Sequence, residues 1–170
     1  MGSKSKILPL KAFLSERKRL KREGKKLVMT NGCFDILHPG HIYYLSAARR
    51  AGDALLVALN SDRSVRALKG PERPVRRQRD RALMLAALET VDYVVIFGEK
   101  TARRMIKAVH PDIYVKGGDY TTQTLNRGEV SAVMEKGGRI RIMPVLEGYS
   151  TTHFLRSLER KGRGRLILRM

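Results

Sequence analysis

Residues Lys26 to Arg50 read KLVMTNGCFDILHPGHIYYLSAARR, and this stretch decides the fold. It predicts a short buried strand, a glycine turn at Gly32, a loop ending in His38-Pro39-Gly40-His41 and a helix that starts there. Proline is favoured near a first helical turn because the N–H that it lacks would have no partner there. The free N–H groups and the dipole of such a helix start attract phosphate, and two imidazoles in the same turn add hydrogen-bond donors. We therefore predict that a nucleoside triphosphate binds here.

Strands and helices alternate along the rest of the chain, which predicts an α/β fold. The expected class is a Rossmann-like, doubly wound, five-stranded parallel sheet with helices on both faces. The predicted strands are 27–30, 54–59, 93–97, 113–115 and 139–145. The predicted helices are 9–23, 40–51, 77–90, 101–110, 129–136 and 153–160, with a short helical turn at 64–67 before a loop at 68–75. In these helices we expect Ile42 to be buried and Thr101 to be an N-cap.

The 170 residues have the size of one domain. We expect residues 1–26 to form a basic helix packed on the domain, residues 27–160 to form the α/β domain itself, and residues 161–170 to form a basic tail. No apolar run is long enough for a membrane span, and no apolar leader is recognisable at the N-terminus. The lone cysteine, Cys33, cannot form an internal disulfide and fits a reducing compartment. A cytoplasmic protein without a membrane partner is expected.

The formal net charge of +19 indicates polyanionic substrates or a polyanionic partner. Basic residues cluster at 11–26, 63–81 and 156–169. The two end clusters have the pattern of solvated helix faces and a loose tail. They contain no aromatic residue beyond Phe13, and Phe154 lies just before the second one. Surfaces that bind single-stranded nucleic acid, in contrast, interleave aromatic with basic side chains. No nucleic-acid partner is therefore expected, and a basic module that binds RNA or a membrane surface is kept as the non-enzyme alternative.

Four polar stretches follow predicted strands: 32–41, 60–62 with the loop behind it, 116–119 and 148–152. Ligands of open parallel sheets bind beyond the carboxyl ends of the strands, so these stretches should meet at one edge. Lys69 and Arg73 would supply the cations that a phosphoryl-transfer transition state needs around its oxygens. Ser150, Thr151 and Thr152 either cap the last helix or form a second phosphate cradle that faces the first.

Two residue types near the glycine turn allow more than one interpretation. His38 and His41 could belong to a structural zinc site, but such a site needs four protein ligands, and the chain has only two other histidines and one cysteine. Phosphate contact at a helix start explains their spacing best. Asp35 could be a solvated loop residue or a helix-entry cap, or could bind sugar hydroxyls or a backbone amine of the loop, and the sequence leaves these alternatives open.

Residues 30–41, TNGCFDILHPGH, resemble the signature of the nucleotidyltransferase superfamily with the His-x-Gly-His motif, which includes the cytidylyltransferases. Four further stretches are more narrowly similar to the ADP-heptose synthase branch of that superfamily: 60–62, 68–75, 115–120 and 148–152. The similarity extends from residue 7 to residue 158, which is nearly the whole chain.

The resemblance implies transfer of AMP from ATP to D-glycero-β-D-manno-heptose 1-phosphate, giving ADP-heptose and pyrophosphate for the lipopolysaccharide core. It implies Mg²⁺ carried by the phosphates, with no metal ligand from the protein. The implied catalytic residues are His38, His41 and Lys69. The implied nucleotide-binding residues are Asn31, Gly32, Cys33, Phe34, Gly40, Arg81, Gly118, Asp119, Ser150, Thr151 and Thr152. The implied sugar-phosphate-binding residues are Asp35, Asp62, Lys69 and Arg73.

The resemblance also bears on partners and on alternatives. Many relatives place Arg or Lys directly after the Ser-Thr-Thr stretch, whereas this chain has His153, as is common in the heptose branch. That branch is often fused to a sugar kinase, for which 170 residues leave no room, so a separate heptose 7-phosphate kinase is implied. The family resemblance also suggests a homodimer. The enzymatic alternatives are a glycerol-3-phosphate cytidylyltransferase or an FAD synthetase of the same fold, although stretches 116–120 and 150–153 favour heptose.

Overall fold

The computed structural model describes residues 3–117 and 124–143. They form one five-stranded sheet with helices packed against it. The strands are β1 Leu27–Gly32, β2 Ala54–Asn60, β3 Tyr93–Phe97, β4 Ile113–Gly117 and β5 Arg139–Met143. The helices are α1 Leu10–Arg22, α2 Pro39–Arg49, α3 Asp62–Lys69, α4 Gln78–Ala86, α5 Arg103–Val109 and α6 Arg127–Met134.

All four strand pairings are parallel, and the strand order is β3-β2-β1-β4-β5. The chain winds outward from β1 to β3, then returns to the other side of β1 to add β4 and β5. The order therefore reverses between β1 and β4, which is where such sheets bind ligands. Ladder pairing between these two strands covers only Val28 with Ile113 and Met29 with Tyr114, which leaves their carboxyl ends unpaired with each other. The predicted fold class is confirmed.

Successive residues of the strands point to opposite faces of the sheet and bury two separate hydrophobic clusters. Met29 and Leu56 face α1, α5 and α6 in one cluster. Val28 and Leu55 face α2 and α4 in the other. Every residue of β2 is buried, as expected for an inner strand of a sheet covered on both sides.

The structure corrects two predicted details. Ile42 is 41% exposed instead of buried, because α2 turns Tyr44, Leu45 and Ala48 toward the sheet. Thr101 is not an N-cap, because the N-cap of α5 is Ala102.

Helix boundaries also differ from the expected ones, mostly by one or two residues, and α6 is Arg127–Met134 instead of 129–136. Helix α3 extends over all of Asp62–Lys69, so Lys69 ends a helix and does not lie in the loop that follows it. Helix α4 ends at Ala86, short of the predicted residue 90.

Several predicted features lie outside the described residues. They are the turn at 118–120, the hydroxyl residues at 150–152, the last helix at 153–160 and the tail at 161–170. Within residues 3–117 and 124–143, no helix is both long and apolar enough to cross a membrane.

Candidate active site

The candidate site lies at the amino end of α2, beside the carboxyl end of β1. His38 is the N-cap of α2, and its extended backbone presents a carbonyl that accepts hydrogen bonds from the amides of His41 at 2.9 Å and Ile42 at 3.4 Å. Pro39 follows as the first helical residue, as the sequence predicted. A helix start in this position offers backbone N–H groups and the positive end of the helix dipole to an anion.

The two imidazoles of this turn stack on each other, with ring centroids 3.8 Å apart and planes inclined by 32°. The Phe34 ring lies 5.1 Å from the His41 ring and covers it. The Nδ1 atoms of both histidines are buried, and neither has a hydrogen-bond partner among the described residues. A buried polar atom without a partner is rare in folded proteins. The two Nδ1 atoms are therefore available for hydrogen bonds with a ligand or with residues beyond the described part of the chain.

Burial also sets the protonation state of these imidazoles. It lowers the pKa of His41 to about 4, and repulsion from His38 and Lys69 adds to the effect. Burial lowers the pKa of His38 as well. Both rings are therefore neutral near pH 7, and each can donate one hydrogen bond to an oxygen without first gaining a proton.

Gly32 and Phe34 shape the turn between β1 and the histidines. Phe34 has a left-handed backbone with φ of 43°, and its ring is buried. A Cβ on Gly32 would lie 2.9 Å from the Phe34 ring, so only glycine leaves room for that ring. The close contact at Gly32 in the described residues is therefore with the Phe34 ring.

Asp35 anchors the basic loop that follows α3. Its carboxylate is buried and accepts hydrogen bonds from Arg73 Nε at 2.6 Å, from the Val75 amide at 2.8 Å and from the Arg76 amide at 3.1 Å. Of the interpretations left open by the sequence, the structure contains the contact with the loop backbone. Arg73, predicted to bind the sugar phosphate, is the ionic partner of Asp35 and keeps a side chain that is 17% exposed.

Arg81 connects three segments beneath the site, and its side chain is fully buried. Its Nη2 donates to Asp62 Oδ1 at 2.8 Å, its Nε donates to the Arg76 carbonyl at 3.0 Å, and its Nη1 donates to the Cys33 carbonyl. Arg81 and Asp62 thus hold the β1–α2 loop, the start of α3 and the basic loop together. All three guanidinium nitrogens are engaged by the protein.

Lys69 is exposed at the end of α3, and no ion pair joins it to a carboxylate in the described residues. Its charge is close enough to lower the pKa values of His41 and of Cys33. Burial has the opposite and larger effect on the Cys33 thiol and raises its pKa. The structure therefore brings Lys69 into the electrostatic range of the histidine turn.

A buried polar network connects β1, β4 and α6 at the same edge of the sheet. Asn31 Oδ1 accepts a hydrogen bond from Lys116 Nζ at 2.7 Å and another from the Tyr114 hydroxyl. The Glu129 carboxylate accepts from Tyr114 at 2.9 Å and from the Ala102 amide at 2.7 Å, and it lies 3.3 Å from Lys116 Nζ. The network fixes the side chain of Asn31, one of the predicted nucleotide-binding residues.

Sequence reasoning missed three members of this edge: Tyr44, Tyr114 and Glu129. Tyr44 shares a 2.7 Å hydrogen bond with the Thr30 hydroxyl and donates to the Val115 carbonyl at 3.0 Å, and so ties α2 to two strands. Glu129 is 5% exposed and follows an ordinary N-cap, Asn126. Nothing in the local pattern distinguishes these tyrosines from core aromatic residues or this glutamate from a first-turn carboxylate.

The described residues contain no group of three or more His, Cys, Asp or Glu side chains that could hold a metal ion. Two carboxylates at the site, Asp35 and Asp62, are engaged by Arg73 and Arg81. The predicted residues Gly118, Asp119, Ser150, Thr151 and Thr152 lie outside the described part of the chain.

Comparison with known proteins matches residues 29–156 to the cytidylyltransferase-like family model. The chain is 52% identical over 153 residues to the bifunctional protein HldE of Rhodopseudomonas palustris (strain TIE-1), covering 89% of this chain and 31% of that protein. It is 49% identical over 158 residues to the bifunctional protein HldE of Campylobacter fetus, covering 93% of this chain and 32% of that protein. The chain thus spans about a third of the length of the curated relatives it matches.

Two solved structures share the fold. The lipopolysaccharide core biosynthesis protein of Thermoplasma volcanium GSS1 is 30% identical, with a TM-score of 0.60 and coverage of 75% of this chain and 100% of that one. The pantoate-beta-alanine ligase of Francisella tularensis is 15% identical, with a TM-score of 0.55 and coverage of 96% and 81% respectively. The second similarity concerns the fold alone.

Proposed function

The chain belongs to the cytidylyltransferase-like family, and on that basis we propose that it transfers AMP from ATP to D-glycero-β-D-manno-heptose 1-phosphate. The products are ADP-heptose and pyrophosphate. The observation that carries the proposal is the pair of neutral, stacked histidines at the start of α2, whose buried Nδ1 atoms have no partner among the described residues. Similarity to HldE proteins and to a lipopolysaccharide core biosynthesis protein supports a heptose substrate.

In the proposed reaction, an oxygen of the sugar phosphate attacks the α-phosphorus of ATP in line. A new P–O bond forms there, the bond from the α-phosphorus to the α–β bridging oxygen breaks, and pyrophosphate leaves with the electron pair. Negative charge develops on the oxygens around the α-phosphorus and on the leaving group. His38 and His41 donate hydrogen bonds to these oxygens, and the amino end of α2 adds its positive dipole.

Lys69 supplies the mobile positive charge in this proposal. It is exposed at the end of α3 and already influences His41 electrostatically, so it can approach phosphate oxygens of both substrates. Arg81, Asp62 and Asp35 act as positioning residues, because their hydrogen bonds hold the loops that carry the histidines and the basic residues. We propose that Arg73 adds charge from its partly exposed side chain.

Mg²⁺ bound to the triphosphate would neutralise part of its charge. Mg²⁺ is commonly held by one or two carboxylates together with substrate phosphates, and two carboxylates of the described site, Asp35 and Asp62, are engaged by arginines. This supports our proposal that phosphate oxygens carry the metal. Ser150, Thr151 and Thr152 are proposed to hold the β- and γ-phosphates, and Gly118 and Asp119 to contact the nucleotide.

A crossed substrate assay tests the proposal. Pyrophosphate release is measured with ATP, CTP or GTP, each combined with heptose 1-phosphate, glycerol 3-phosphate, FMN or phosphopantetheine. We expect turnover with ATP and heptose 1-phosphate. Turnover only with CTP and glycerol 3-phosphate would assign the chain to the cytidylyltransferase alternative and overturn the proposal.

Partners are part of the same proposal. We propose that the protein acts as a homodimer and that a heptose 7-phosphate kinase activity works upstream of it. Light scattering coupled to size-exclusion chromatography tests the first point. Formation of ADP-heptose from heptose 7-phosphate and ATP, in the presence of that kinase and of a phosphatase that removes the 7-phosphate, but not when the kinase is omitted, tests the second.

A further inference from the structure

A second cleft, separate from the candidate active site, lies at the opposite edge of the sheet. It has a volume of about 550 Å³ and is bounded by the last turn of α1, the residue before β1, the α5–β4 connection and the α6–β5 turn. Strand β1 runs from this cleft to the histidine turn, so its six residues separate the two places by about 20 Å. The size is typical of a site for a small molecule.

The lining of this cleft is strongly basic. Six cationic side chains face it: Arg17, Lys21, Lys26, Lys136, Arg139 and Arg141. One carboxylate, Asp112, is also part of the lining. That carboxylate is already engaged, because it pairs with Arg17 Nη1 at 3.2 Å and accepts a hydrogen bond from the Leu27 amide at 2.7 Å. Within the described residues, no ion pair joins the other five cations to a carboxylate.

Cations near the carboxyl ends of helices often serve only to balance the helix dipoles. The negative charge of the helix ends must therefore be compared with the positive charge of the cleft lining. Helices α1, α2, α5 and α6 end around this cleft, and each contributes about half a negative charge. Together with Asp112 they supply roughly three negative charges against six cations. Two carboxylates lie beside the cleft: Glu135 is paired with Lys107 at 2.9 Å, and Asp53 accepts a hydrogen bond from the Lys26 amide at 2.8 Å. With Asp53 included, about two positive charges remain without compensation, which is more than dipole balancing requires.

Arg17 directs part of this charge into the cleft from a buried position, since the residue is 9% exposed. Its Nε and Nη2 donate to the carbonyls of Val109 and His110 at 3.2 and 2.7 Å, which fix the guanidinium in place. Its Nη1, although close to Asp112, has no hydrogen-bond partner among the described residues. Partial desolvation lowers the pKa of His110, and the cations Lys136, Arg17 and Lys21 lower it further, against an opposing effect of Glu135.

We propose that this cleft binds a small anion that carries two or more phosphate groups. Such an anion supplies about the negative charge that the lining lacks, and its oxygens match guanidinium and ammonium donors. No Phe, Tyr or Trp lines the cleft, so it offers no stacking surface of the kind that single-stranded nucleic acids use. The inference concerns a place distant from the histidine turn and does not depend on the proposed reaction.

Inorganic triphosphate is the first probe, titrated into the ¹⁵N-labelled full chain at 150 mM salt. We expect saturable amide shifts at Lys26, Asp112 and Gly137, recorded separately from any shifts in residues 30–41. NMR resolves the two regions independently, so the outcome at the histidine turn does not affect the outcome at the cleft. Shifts that do not saturate, or that leave the cleft residues unchanged, would overturn the proposal.

Matched charge reversals separate a built site from general attraction. The cleft variant is Lys21→Glu/Lys136→Glu, and the control is Lys11→Glu/Lys18→Glu, whose two lysines are exposed on α1 but do not line the cleft. Because all four side chains are exposed, both variants should fold, which urea unfolding checks. We expect triphosphate affinity at the cleft to fall at least tenfold in the cleft variant and less than twofold in the control. Equal losses in the two variants would indicate only a diffuse charge effect and refute the site.

Three further ligands identify the source of the phosphate groups. Binding of ATP at the cleft with an affinity near that of triphosphate would support recognition of a phosphate chain, whether free or part of a nucleotide. Binding of phosphatidylglycerol vesicles without binding of triphosphate would overturn the proposal in favour of a membrane surface. Binding of an oligouridylate without binding of triphosphate would overturn it in favour of nucleic acid.

Discussion

Acidification should destabilise the protein through His41, and the structure sets the size of the effect. The pKa of His41 is lowered to about 4 in the folded protein, whereas a histidine in an unfolded chain has a pKa of about 6.5. Between these two pH values the unfolded chain binds a proton that the folded chain does not. Stability from this residue is therefore complete above about pH 6.5 and is lost as the pH falls toward about 4.

The difference between the two pKa values corresponds to about 3 kcal/mol. His41 is only partly buried, so solvent screening should reduce this figure, and we expect about 2 kcal/mol. Urea unfolding of the wild type and of His41→Asn at pH 7, 6, 5 and 4 measures it as the difference between the two stability curves. Carboxylates titrate in both proteins and cancel in that difference.

A direct measurement follows the His41 ring resonance by NMR, assigned by its absence in His41→Asn. We expect a titration midpoint well below that of an unfolded histidine. His110→Asn provides the control, since His110 is exposed and should change the stability curve less. Parallel curves for the wild type and His41→Asn, or a His41 midpoint near 6.5, would refute the assignment of a desolvated, neutral imidazole.

Three further predictions concern named contacts. His41→Ala should lower kcat by about 10²–10³, the scale of one lost transition-state donor, with little change in unfolding; unchanged turnover would remove His41 from the mechanism. Asp35→Asn should lower the free energy of unfolding by about 2–3 kcal/mol, because charge-assisted and backbone hydrogen bonds are lost. The exposed control Asp80→Asn should lower it by less than about 1 kcal/mol. Urea unfolding compares the two variants, and equal losses would contradict the anchoring role of Asp35. Gly32→Ala should displace the Phe34 ring and lower the melting temperature. The double variant Gly32→Ala/Phe34→Leu should recover part of that loss, because the smaller side chain leaves room for the new methyl group. Calorimetry measures both variants, and no recovery would show that a clash with the Phe34 ring does not cause the loss.

The sheet and its order of elements could be predicted from the sequence because they depend on local patterns. Short apolar runs separated by helical periodicity predict buried parallel strands, and β3 has the predicted bounds of 93–97. The histidine turn was predictable for the same reason, since Pro39 and the glycines act on their own backbone. The start of α5 was predicted wrongly, and a distant group contacts it: Ala102 is the N-cap, and its amide donates to the Glu129 carboxylate, 27 residues away.

The hydrogen bonds and ion pairs of the site could not be predicted, because they join residues that are far apart in the chain. Arg81 lies 48 residues from Cys33 and 19 residues from Asp62, yet bonds to both. Asp35 meets the amide of Arg76, 41 residues away. The resemblance predicted that Arg81, Cys33, Asp62 and Asp35 belong to one site, but the sequence could not say whether their charged groups point toward a ligand or toward each other. That choice depends on burial, which only the assembled sheet provides.

Burial also explains why, among the described residues, the buried charged side chains of the site have ionic partners whereas the imidazoles do not. An arginine or carboxylate removed from water needs a partner, and Arg81 with Asp62 and Asp35 with Arg73 supply partners to one another. A neutral imidazole can be buried without an ionic partner at far lower cost, so His38 and His41 can keep ring nitrogens unbonded beside the helix start. Lys69 remains exposed at the end of α3, where we propose that it meets the phosphate oxygens. In a chain with a net charge of +19, the groups placed closest to the expected chemistry are therefore uncharged donors.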